Sequence, residues 1–476
     1  MLYVKGAPEI VLGLCAKVAG GVKPDTINEQ LLGYQQKAMR TLAIAYAIID
    51  DKEEPIKDNA LNADNLTFIG ITAIADPVRA EVPDAIRNSI SAGISVKIVT
   101  GDTPGTAKEI GRQVGLWDNA TDGDINHISG PDFAALSEEE AAQRVKSLKI
   151  MSRARPTDKS RLVRLLQEGG EVVAVTGDGT NDAPALNAAQ VGLSMGDGTS
   201  VAKEASDITI IDNSFASINR AIMWGRTLYL NIRRFIIFQM TINLSACLIV
   251  LLGAFIGLES PLTVTQMLWV NLIMDTFAAM ALSSLPADRG VLNEPPRHPA
   301  SHIISRSMLH RIIGTGVTFF VVLVGLWQLL HHAEITAVVD ILNLDTLRSM
   351  VHGIATPDNA HSTLTQYELG IFFSVFVMMQ FWNMFNAKYF ASRRSLLLDI
   401  VDLVRRPKLV RESYSLYFVL IAAVIILGQV LIVNLLGDLF SVSALSFSDW
   451  MWIIALTSPV LFLPDIVRIA RVASDK

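Results

Sequence analysis

The stretch VTGDGTNDAPAL, residues 175–186, follows an apolar run that is typical of a buried strand. It places Asp178 and Asp182 four residues apart, among glycines. Gly177 and Gly179 allow the backbone to approach a phosphoryl group closely. Paired carboxylates at the end of a strand suit Mg²⁺, which takes oxygen ligands and usually keeps waters and a substrate phosphate. The stretch therefore predicts a magnesium-dependent site.

Apolar runs and helical patterns alternate around this stretch. We predict strands at 66–76, 94–102, 149–156, 171–178, 190–196 and 206–212, and helices at 83–92, 104–114, 158–167 and 182–189. Strands that alternate with helices favour a doubly wound parallel sheet, whose ligands bind beyond the carboxyl ends of the strands. The run at 66–76 is continuously apolar, as expected for a strand buried on both faces.

Further polar residues follow neighbouring predicted strands. Thr100, Gly101 and Asp102 end one strand, and Lys159 begins the helix after another. Thr100 offers a hydroxyl and nearby backbone N–H groups to phosphate oxygens, and Lys159 offers a positive charge. A lone Thr-Gly-Asp is usually a turn and a lone lysine is usually a surface residue. Their combination on successive strands favours phosphoryl transfer by positioning and charge neutralisation.

The composition separates the chain into two parts. It is 51% hydrophobic and 18% charged, with a mean hydropathy of +0.39, which is too apolar for an ordinary soluble enzyme. The net charge of -6 gives no footprint for nucleic acid, and two cysteines favour neither a disulfide framework nor a zinc site. Six apolar segments are long enough to cross a bilayer, at about 235–257, 263–285, 312–331, 368–387, 415–436 and 449–466. Buried helices of a soluble domain are disfavoured, because six such segments follow one another.

The loops between these segments predict the orientation. Lysine and arginine are concentrated in the loops 286–311 and 388–414, whereas the alternate loops carry few. Basic loops remain cytoplasmic as a rule. We therefore expect residues 1–230 and the C-terminus on the cytoplasmic side of a multi-pass membrane protein.

Polar residues inside the spans indicate an ion site. Asp275 lies within the second span, and an ionisable residue there is a functional candidate by default. Asn271 lies one helical turn earlier and is expected on the same face. Amides also occur on two other predicted spans, at Gln239, Asn243, Gln380 and Asn383. Carboxylate and amide oxygens suit a hard cation such as Ca²⁺. Interhelical hydrogen bonding is an open alternative for Gln239, Gln380 and Asn383.

Several stretches resemble the conserved blocks of the P-type ATPases: KGAPE (5–9), MRTLAIAY (39–46), DPVR (76–79), TGD (100–102), RARPTDK (153–159) and TGDGTNDAPAL (176–186). The stretch MLWVNLIMDT (267–276) resembles the calcium-transporting branch, closest to the plasma-membrane type. The resemblance implies an α/β haloacid-dehalogenase-like doubly wound domain followed by an all-α six-helix transmembrane domain. The expected division is a remnant of the nucleotide-binding domain at 1–65, the phosphorylation domain at 66–230 and the membrane domain at 231–476.

The family also implies roles for single residues. Lys5 and Gly6 would line the adenosine end of an ATP site, with Arg40 and Arg153 near the phosphates. The transferred phosphate would be surrounded by Thr100, Gly101, Asp102, Lys159 and Asn181. Asp178 would bind Mg²⁺ with Asp182 beside it, and the transported Ca²⁺ would be held by Asn243, Asn271 and Asp275. The implied partners are ATP, the ion and a lipid bilayer, with the cell membrane as the expected location.

One block of the family is missing from the sequence. The family's phosphoryl-accepting aspartate lies in an Asp-Lys-Thr-Gly-Thr motif, and none of the three Asp-Lys pairs here is followed by Thr-Gly. The Thr-Gly-Glu-Ser loop and the first four membrane helices of a ten-helix pump are also absent. We therefore expect the C-terminal portion of a pump, inactive alone, with the N-terminal portion as a possible partner. A catalytically inactive membrane protein that retains nucleotide and cation binding is the alternative. A membrane-tethered phosphatase would need a nucleophile that the sequence lacks.

Overall fold

The computed structural model of the chain describes residues 1–37, 39–49, 56–57, 60–61, 65–74, 77–256, 259–333, 335–355, 363–392, 394–405 and 415–474. The chain forms two compact units. The α/β unit comprises Met1–Met223 and Arg289–Ala300, and the helical unit comprises Trp224–Asp288 and Ser301–Lys476.

A four-stranded mixed sheet contains the first strands of the α/β unit, in the order β1, β3, β6, β2. These strands are β1 (Leu2–Gly6), β2 (Cys15–Val18), β3 (Arg40–Ala47) and β6 (Leu66–Ile74). A separate two-stranded ribbon pairs β4 (Ile56–Lys57) with β5 (Ala60–Leu61). This sheet contains strands from before and after residue 65, where we expected a domain boundary. The boundary between the two compact units lies elsewhere in the chain.

A strand occurs at 66–74 as predicted, but the prediction that it is buried on both faces was wrong. The strand β6 runs antiparallel to β3 and parallel to β2. Leu66 and Phe68 are buried, whereas Ile69 and Ile74 are about half exposed. One face of β6 packs on the core and the other does not, which is common in antiparallel sheets. Residues 75 and 76 lie outside the described part of the chain.

Two three-stranded parallel sheets confirm the predicted α/β class. The first has the order β7, β9, β8 and the second the order β10, β11, β12. Their strands are β7 (Ile98–Val99), β8 (His127–Ser129), β9 (Ile150–Ser152), β10 (Ala174–Gly177), β11 (Val191–Met195) and β12 (Ile208–Ile210). The strand expected at 94–102 is reduced to β7, since residues 94–97 have no regular secondary structure and Thr100 begins the loop that follows.

Helices connect these strands, as predicted. They include Val82–Ser91, Pro104–Gln113, Gly130–Ala135, Glu138–Ser147, Pro156–Glu168, Ala183–Ala188 and Ser200–Glu204. Proline at the first helical position begins several of them, where its missing N–H has no intrahelical partner in any case. The Thr103 side chain caps the helix Pro104–Gln113 by accepting from the Thr106 amide. The carboxyl ends of the parallel strands are thereby fixed next to helix starts.

Six helices are long and apolar enough to span a membrane, which confirms the predicted number. We number these spans 1 to 6: Phe215–Ile256, Val264–Ser283, Arg306–His332, Gln366–Lys388, Leu416–Leu435 and Phe447–Ala470. Span 1 begins 20 residues before its apolar segment, because the basic residues ahead of that segment continue the helix. Span 4 is the most deeply buried, with Phe372, Phe373 and Phe376 in the core of the helical unit.

The helical unit has one irregular span and two short helices between spans. A π-helical turn at Trp269–Met274 lies inside span 2, immediately before Asp275. Short helices also occupy the loops on either side of span 4, at Leu344–Ala355 and Leu396–Arg405. π turns inside α-helices are frequent at functional sites.

Candidate functional site

The loop after β7 is closed by its own side chains. The Thr100 hydroxyl donates to the Asp102 carboxylate at 2.9 Å and accepts from the Asp102 backbone amide at 3.1 Å. The Thr100 backbone amide continues the sheet by donating to the Met151 carbonyl at 2.9 Å. Gly101 lies exposed between the two side chains. The Thr100 hydroxyl is therefore held at the carboxyl edge of a parallel strand, where it was predicted.

The loop after β9 is attached to this first loop by two backbone hydrogen bonds. The Ala154 amide donates to the Thr100 carbonyl and the Arg153 amide to the Asp102 carbonyl, both at 2.9 Å. Arg153 adopts a left-handed backbone conformation with φ of 48°. Such a conformation in a non-glycine residue stores strain and persists where the surroundings enforce it. Arg153 is exposed, so its side chain is available to a ligand above the strand ends.

The loop after β10 is organised by Asp182. One carboxylate oxygen of Asp182 contacts the Lys159 ammonium at 2.5 Å. The other accepts from the backbone amides of Asp178 and Gly179 at 3.3 and 3.2 Å. A Cβ atom at Gly177 would lie 2.5 Å from the Asp182 Cβ, so glycine is required for this close approach. Asp182 therefore fixes both the loop and the lysine, and acts as a positioning residue.

The carboxylate of Asp178 differs from that of Asp182. Asp178 is exposed, and within the described residues its side chain accepts no hydrogen bond. Its backbone carbonyl accepts from the Thr199 amide at 2.8 Å, which holds the residue at the end of β10. Asn181 is likewise exposed in the same loop. An exposed, anchored carboxylate fits Mg²⁺, which usually takes one or two carboxylates together with water and substrate oxygens.

The residues predicted for the nucleotide lie in the mixed sheet. Lys5 and Gly6 end β1, and Gly6 pairs with Ala43 on β3. Arg40 begins β3, which puts it at the same end of the sheet, but its side chain lies outside the described part. Among the described residues no hydrogen bond or ion pair links Lys5 or Gly6 to the loops after β7, β9 and β10.

The two loops with the reactive side chains both follow edge strands. In the described part of the chain, β7 pairs only with β9, and β10 pairs only with β11. Thr100 follows β7 and Asp178 follows β10. Each sheet therefore has an edge without a hydrogen-bonded neighbour in the described chain, next to a side chain of the predicted site.

Asp275 is buried in span 2 with 3% of its surface exposed. Neither of its carboxylate oxygens has a hydrogen-bond partner among the described residues. Burying an unpaired carboxylate is costly, so a position of this kind points to a ligand. Asp275 is therefore a candidate ligand for a cation.

Asn271, which we expected on the same face as Asp275, differs from it in exposure, and the shared face stays a prediction. It is exposed, whereas Met274 and Asp275 are buried. Residues four apart lie on one side of the helix in an α turn and in a π turn, so the π turn Trp269–Met274 does not separate the two. The prediction used the spacing of a regular α-helix.

The amides of the other spans occupy different environments. Asn243 and Gln239 are half-buried in span 1, whereas Gln380 and Asn383 are buried in span 4. Both side-chain polar atoms of Gln380 and the Asn383 nitrogen lack a hydrogen-bond partner in the described structure. Within the described residues there is no cluster of three or more His, Cys, Asp or Glu side chains that could hold a metal. An ion site would therefore depend on a carboxylate together with neutral oxygens.

The sequence did not reveal two polar contacts of the helical unit. The Trp269 indole donates to the Gln429 side chain at 3.1 Å, which joins span 2 to span 5 next to the π turn. Asp399 is buried in a network of basic side chains beyond span 4. The only sequence signal for the second contact is an acid within an apolar stretch.

Comparisons with known proteins match both units. Residues 9–190 match a family model described as haloacid dehalogenase-like hydrolase, and a second model with the same description matches 159–222. Residues 259–470 match the model described as cation transporting ATPase, C-terminus.

Individual relatives are similar along almost the whole chain. The chain is 36% identical to human plasma membrane calcium-transporting ATPase 3, over 95% of this chain and 36% of that protein. It is 35% identical to putative calcium-transporting ATPase 11, plasma membrane-type, of Arabidopsis thaliana, over 100% of this chain and 43% of that protein. The calcium-transporting ATPase PAT1 of Dictyostelium discoideum is 37% identical over 82% of this chain and 36% of its own length. The chain thus spans well under half the length of these relatives.

Proposed function

We propose that this chain takes part in ATP-driven Ca²⁺ transport, from the premise that it is a relative of the plasma-membrane type of P-type calcium-transporting ATPase. The relationship covers its haloacid-dehalogenase-like region and its C-terminal transmembrane region. The observation that carries the proposal is the contact of Lys159 with Asp182. It brings the helix after β9 onto the loop after β10, which also carries the exposed Asp178.

Each side chain has a defined task in this proposal. Asp178 holds Mg²⁺, which when bound neutralises charge on the phosphates of ATP. The Thr100 hydroxyl and the backbone amides of its loop bind oxygens of the transferred phosphoryl group. Lys159 places its positive charge at the same edge, and Asp182 keeps both Lys159 and the loop oriented. Preorganised charges of this kind are the main source of catalysis in phosphoryl transfer.

We further propose that the accepting carboxylate comes from outside this sequence, so that the chain alone forms no phosphoenzyme. The absence of Asp-Lys-Thr-Gly-Thr supports this, as do the edges of β7 and β10 that lack a partner in the described chain. A parallel strand ending in aspartate could pair there and deliver its carboxylate between Thr100 and Asp178. An acid-stable, hydroxylamine-sensitive phosphoenzyme should form from ATP labelled in its γ-phosphate only after a relative's segment with that motif is added to the purified chain, and the label should be on the aspartate of that segment, with ADP released. Labelling of the chain alone would refute this part.

Transport itself is tested by reconstitution with the complementary N-terminal portion of a relative. Vesicles containing both portions should accumulate labelled Ca²⁺ when Mg-ATP is added. The same pair with Asp178→Asn should accumulate none above background. Uptake that is independent of ATP, or that favours Mn²⁺ over Ca²⁺, would contradict the proposed activity.

We also propose the cell membrane as the location, with the α/β unit and the C-terminus in the cytoplasm. The basic loops 286–311 and 388–414 support this orientation. With Cys15 and Cys247 replaced by serine, an impermeant maleimide should label Ser260→Cys on intact cells and should not label Ala300→Cys. The reverse pattern would contradict the orientation.

A further inference from the structure

The helix Leu396–Arg405, in the loop between spans 4 and 5, has an inverted distribution of polarity. Leu398, Ile400 and Val401 are 44%, 51% and 46% exposed, whereas Asp399 is only 2% exposed. A helix on a water-facing surface normally buries its apolar residues and exposes its acids. The exposed apolar face of this helix is therefore not that of a helix that contacts water alone.

The buried acid is fully engaged by the protein. The Arg394 guanidinium donates to one Asp399 oxygen at 2.8 Å, and the Tyr389 hydroxyl donates to the other at 2.8 Å. The Lys388 ammonium lies 3.7 Å from the same carboxylate and is also buried. A buried carboxylate is tolerated when it is paired and hydrogen-bonded in this way. The side of the helix that carries Asp399 is therefore fixed against the rest of the helical unit.

The first turn of the helix is fixed by span 6. The Asp465 carboxylate accepts from the backbone amides of Leu396 and Leu397 at 3.1 and 2.9 Å. Arg468 holds that carboxylate at 2.8 Å. These amides are among the groups that a helix cannot satisfy internally, and a carboxylate there is also favoured by the helix dipole. The helix thus has two independent anchors.

Both anchors lie near the ends of spans that face the same side. Lys388 is the last residue of span 4, and Asp465 lies five residues before the end of span 6. Successive helical residues are rotated by about 100°, so Leu397, Leu398, Ile400 and Val401 form an arc centred opposite Asp399. Because the helix is anchored near the ends of these spans, its apolar arc lies at the level where the spans leave the bilayer.

We propose that the helix Leu396–Arg405 lies in the membrane interface with this apolar arc in the lipid, and that its surroundings recognise anionic headgroups. Residues 388–414 contain seven lysines and arginines against three acids. Basic residues next to an interfacial helix are attracted to the anionic cytoplasmic leaflet. The charge thus favours an anionic lipid surface over a second copy of this chain, which would bring the same positive charge. The headgroup part rests on the cytoplasmic orientation proposed above.

Depth measurements in bilayers test the position of the helix. Spin labels are attached at Ile400→Cys or, as the matched control, at Asp402→Cys, in the whole chain with Cys15 and Cys247 replaced by serine. In phosphatidylcholine nanodiscs the label at 400 should favour oxygen over a water-soluble nickel complex, at a depth of about 5–10 Å. The label at 402 should favour the nickel complex. Equal nickel access at both positions overturns the proposal, and so does a label at 400 that is shielded from both reagents, because protein then covers the face.

Lipid selectivity tests the headgroup part. Spin-labelled phosphatidylserine should associate with the whole chain more than spin-labelled phosphatidylcholine, and salt should reduce the difference. Arg405→Gln, at the exposed end of the helix, should lower the preference about two- to five-fold at low salt. The matched control Arg348→Gln, on the opposite loop, should not lower it. Equal association of both lipids, or no effect of Arg405→Gln, overturns this part. Neither measurement uses ATP or Ca²⁺, so a failure of the transport proposal would leave their outcome unchanged.

Discussion

The carboxylates of Asp182 and Asp275 show how differently the two units treat an acid that is largely shielded from water. Asp182 accepts from the Lys159 ammonium and from two backbone amides. Asp275 is more deeply buried, and among the described residues neither of its oxygens has a partner. The first acid is satisfied by the protein, whereas the second has no hydrogen-bond partner in the part of the chain that the structure describes.

A paired and an unpaired carboxylate have opposite effects on the stability of the fold. A paired carboxylate stabilises the fold and holds a loop in place, and its removal leaves its partners unsatisfied. An unpaired carboxylate destabilises the fold, and a cation that binds it can recover that energy. The α/β unit should therefore lose stability when its polar contacts are broken, whereas the helical unit should lose function without losing stability when Asp275 is neutralised.

The largest effect is expected for Asp275→Asn in the pump reconstituted from both portions. Ca²⁺ transport should be abolished, because a neutral amide cannot replace the charge of the carboxylate. The thermal midpoint of the chain in Ca²⁺-free detergent should stay the same or rise, because a buried unpaired acid is removed. Uptake of labelled Ca²⁺ and thermal unfolding measure the two quantities.

Two variants serve as controls for this prediction. Asn243→Ala should weaken transport less, because it removes one neutral oxygen from the 6–8 that Ca²⁺ takes. Asp399→Asn should lower the thermal midpoint, because its carboxylate is buried among three basic or hydroxyl partners. Transport that survives Asp275→Asn, or a midpoint that falls as far as in Asp399→Asn, would contradict the comparison.

The next largest effect is expected for Asp178→Asn. Loss of one charged ligand where charge is neutralised should raise the activation barrier by about 3 kcal/mol, by analogy with the loss of an oxyanion-hole donor. Folding should be unaffected, because the Asp178 carboxylate makes no hydrogen bond among the described residues. ATP hydrolysis by the pump reconstituted from both portions, at saturating Mg²⁺, measures the loss, with the exposed Asp84→Asn as the control. Unchanged turnover would remove Asp178 from the proposed site.

A smaller effect is expected for Gly177→Ala. The added Cβ would lie 2.5 Å from the Asp182 Cβ, and overpacking of this kind typically costs about 1–3 kcal/mol of stability. Gly179→Ala is the matched control, because its nearest contact would be an ordinary 3.6 Å and its φ of -101° suits any residue. Denaturant unfolding of both variants gives the difference. Equal stabilities would mean that the loop yields without moving Asp182 from Lys159.

The sequence predicted those features that depend on short stretches. Thr100 and Asp178 follow parallel strands as expected, because an apolar run followed by a polar turn is a local signal. The six spans were predicted because length and hydropathy alone define a bilayer-spanning helix. Both predictions needed no knowledge of which elements pack together.

Features that depend on distant partners were missed. The strand β6 is as apolar as a central parallel strand, and only its pairing with β3 places it in the mixed sheet. The π turn at Trp269–Met274 has no distinctive sequence pattern, and the sequence alone predicted a regular helix there. Asp399 is satisfied by Arg394 and by Lys388 and Tyr389 at the end of another helix. These contacts become visible only when the chain is folded.

The smallest effect is expected from the titration of His127, which lies in the α/β unit on β8. Its Nε2 atom is 3.0 Å from the Ser152 hydroxyl. Burial, with a further contribution from Lys108, holds the pKa of His127 below its usual 6.5. The unfolded chain therefore binds more protons than the folded chain between these two pKa values. By linkage, the contribution of His127 to stability is complete above the unfolded pKa and falls as the pH drops below about 6.5 towards the folded pKa.

His127→Gln retains a hydrogen-bonding side chain and removes the titration. The difference in denaturation midpoint between the two proteins should therefore shift in favour of the variant as the pH falls from about 7 to about 5. The same shift should appear in an Asp275→Asn background, because that residue belongs to the helical unit. A difference that does not change with pH would show that His127 has the same pKa in the folded and unfolded chain.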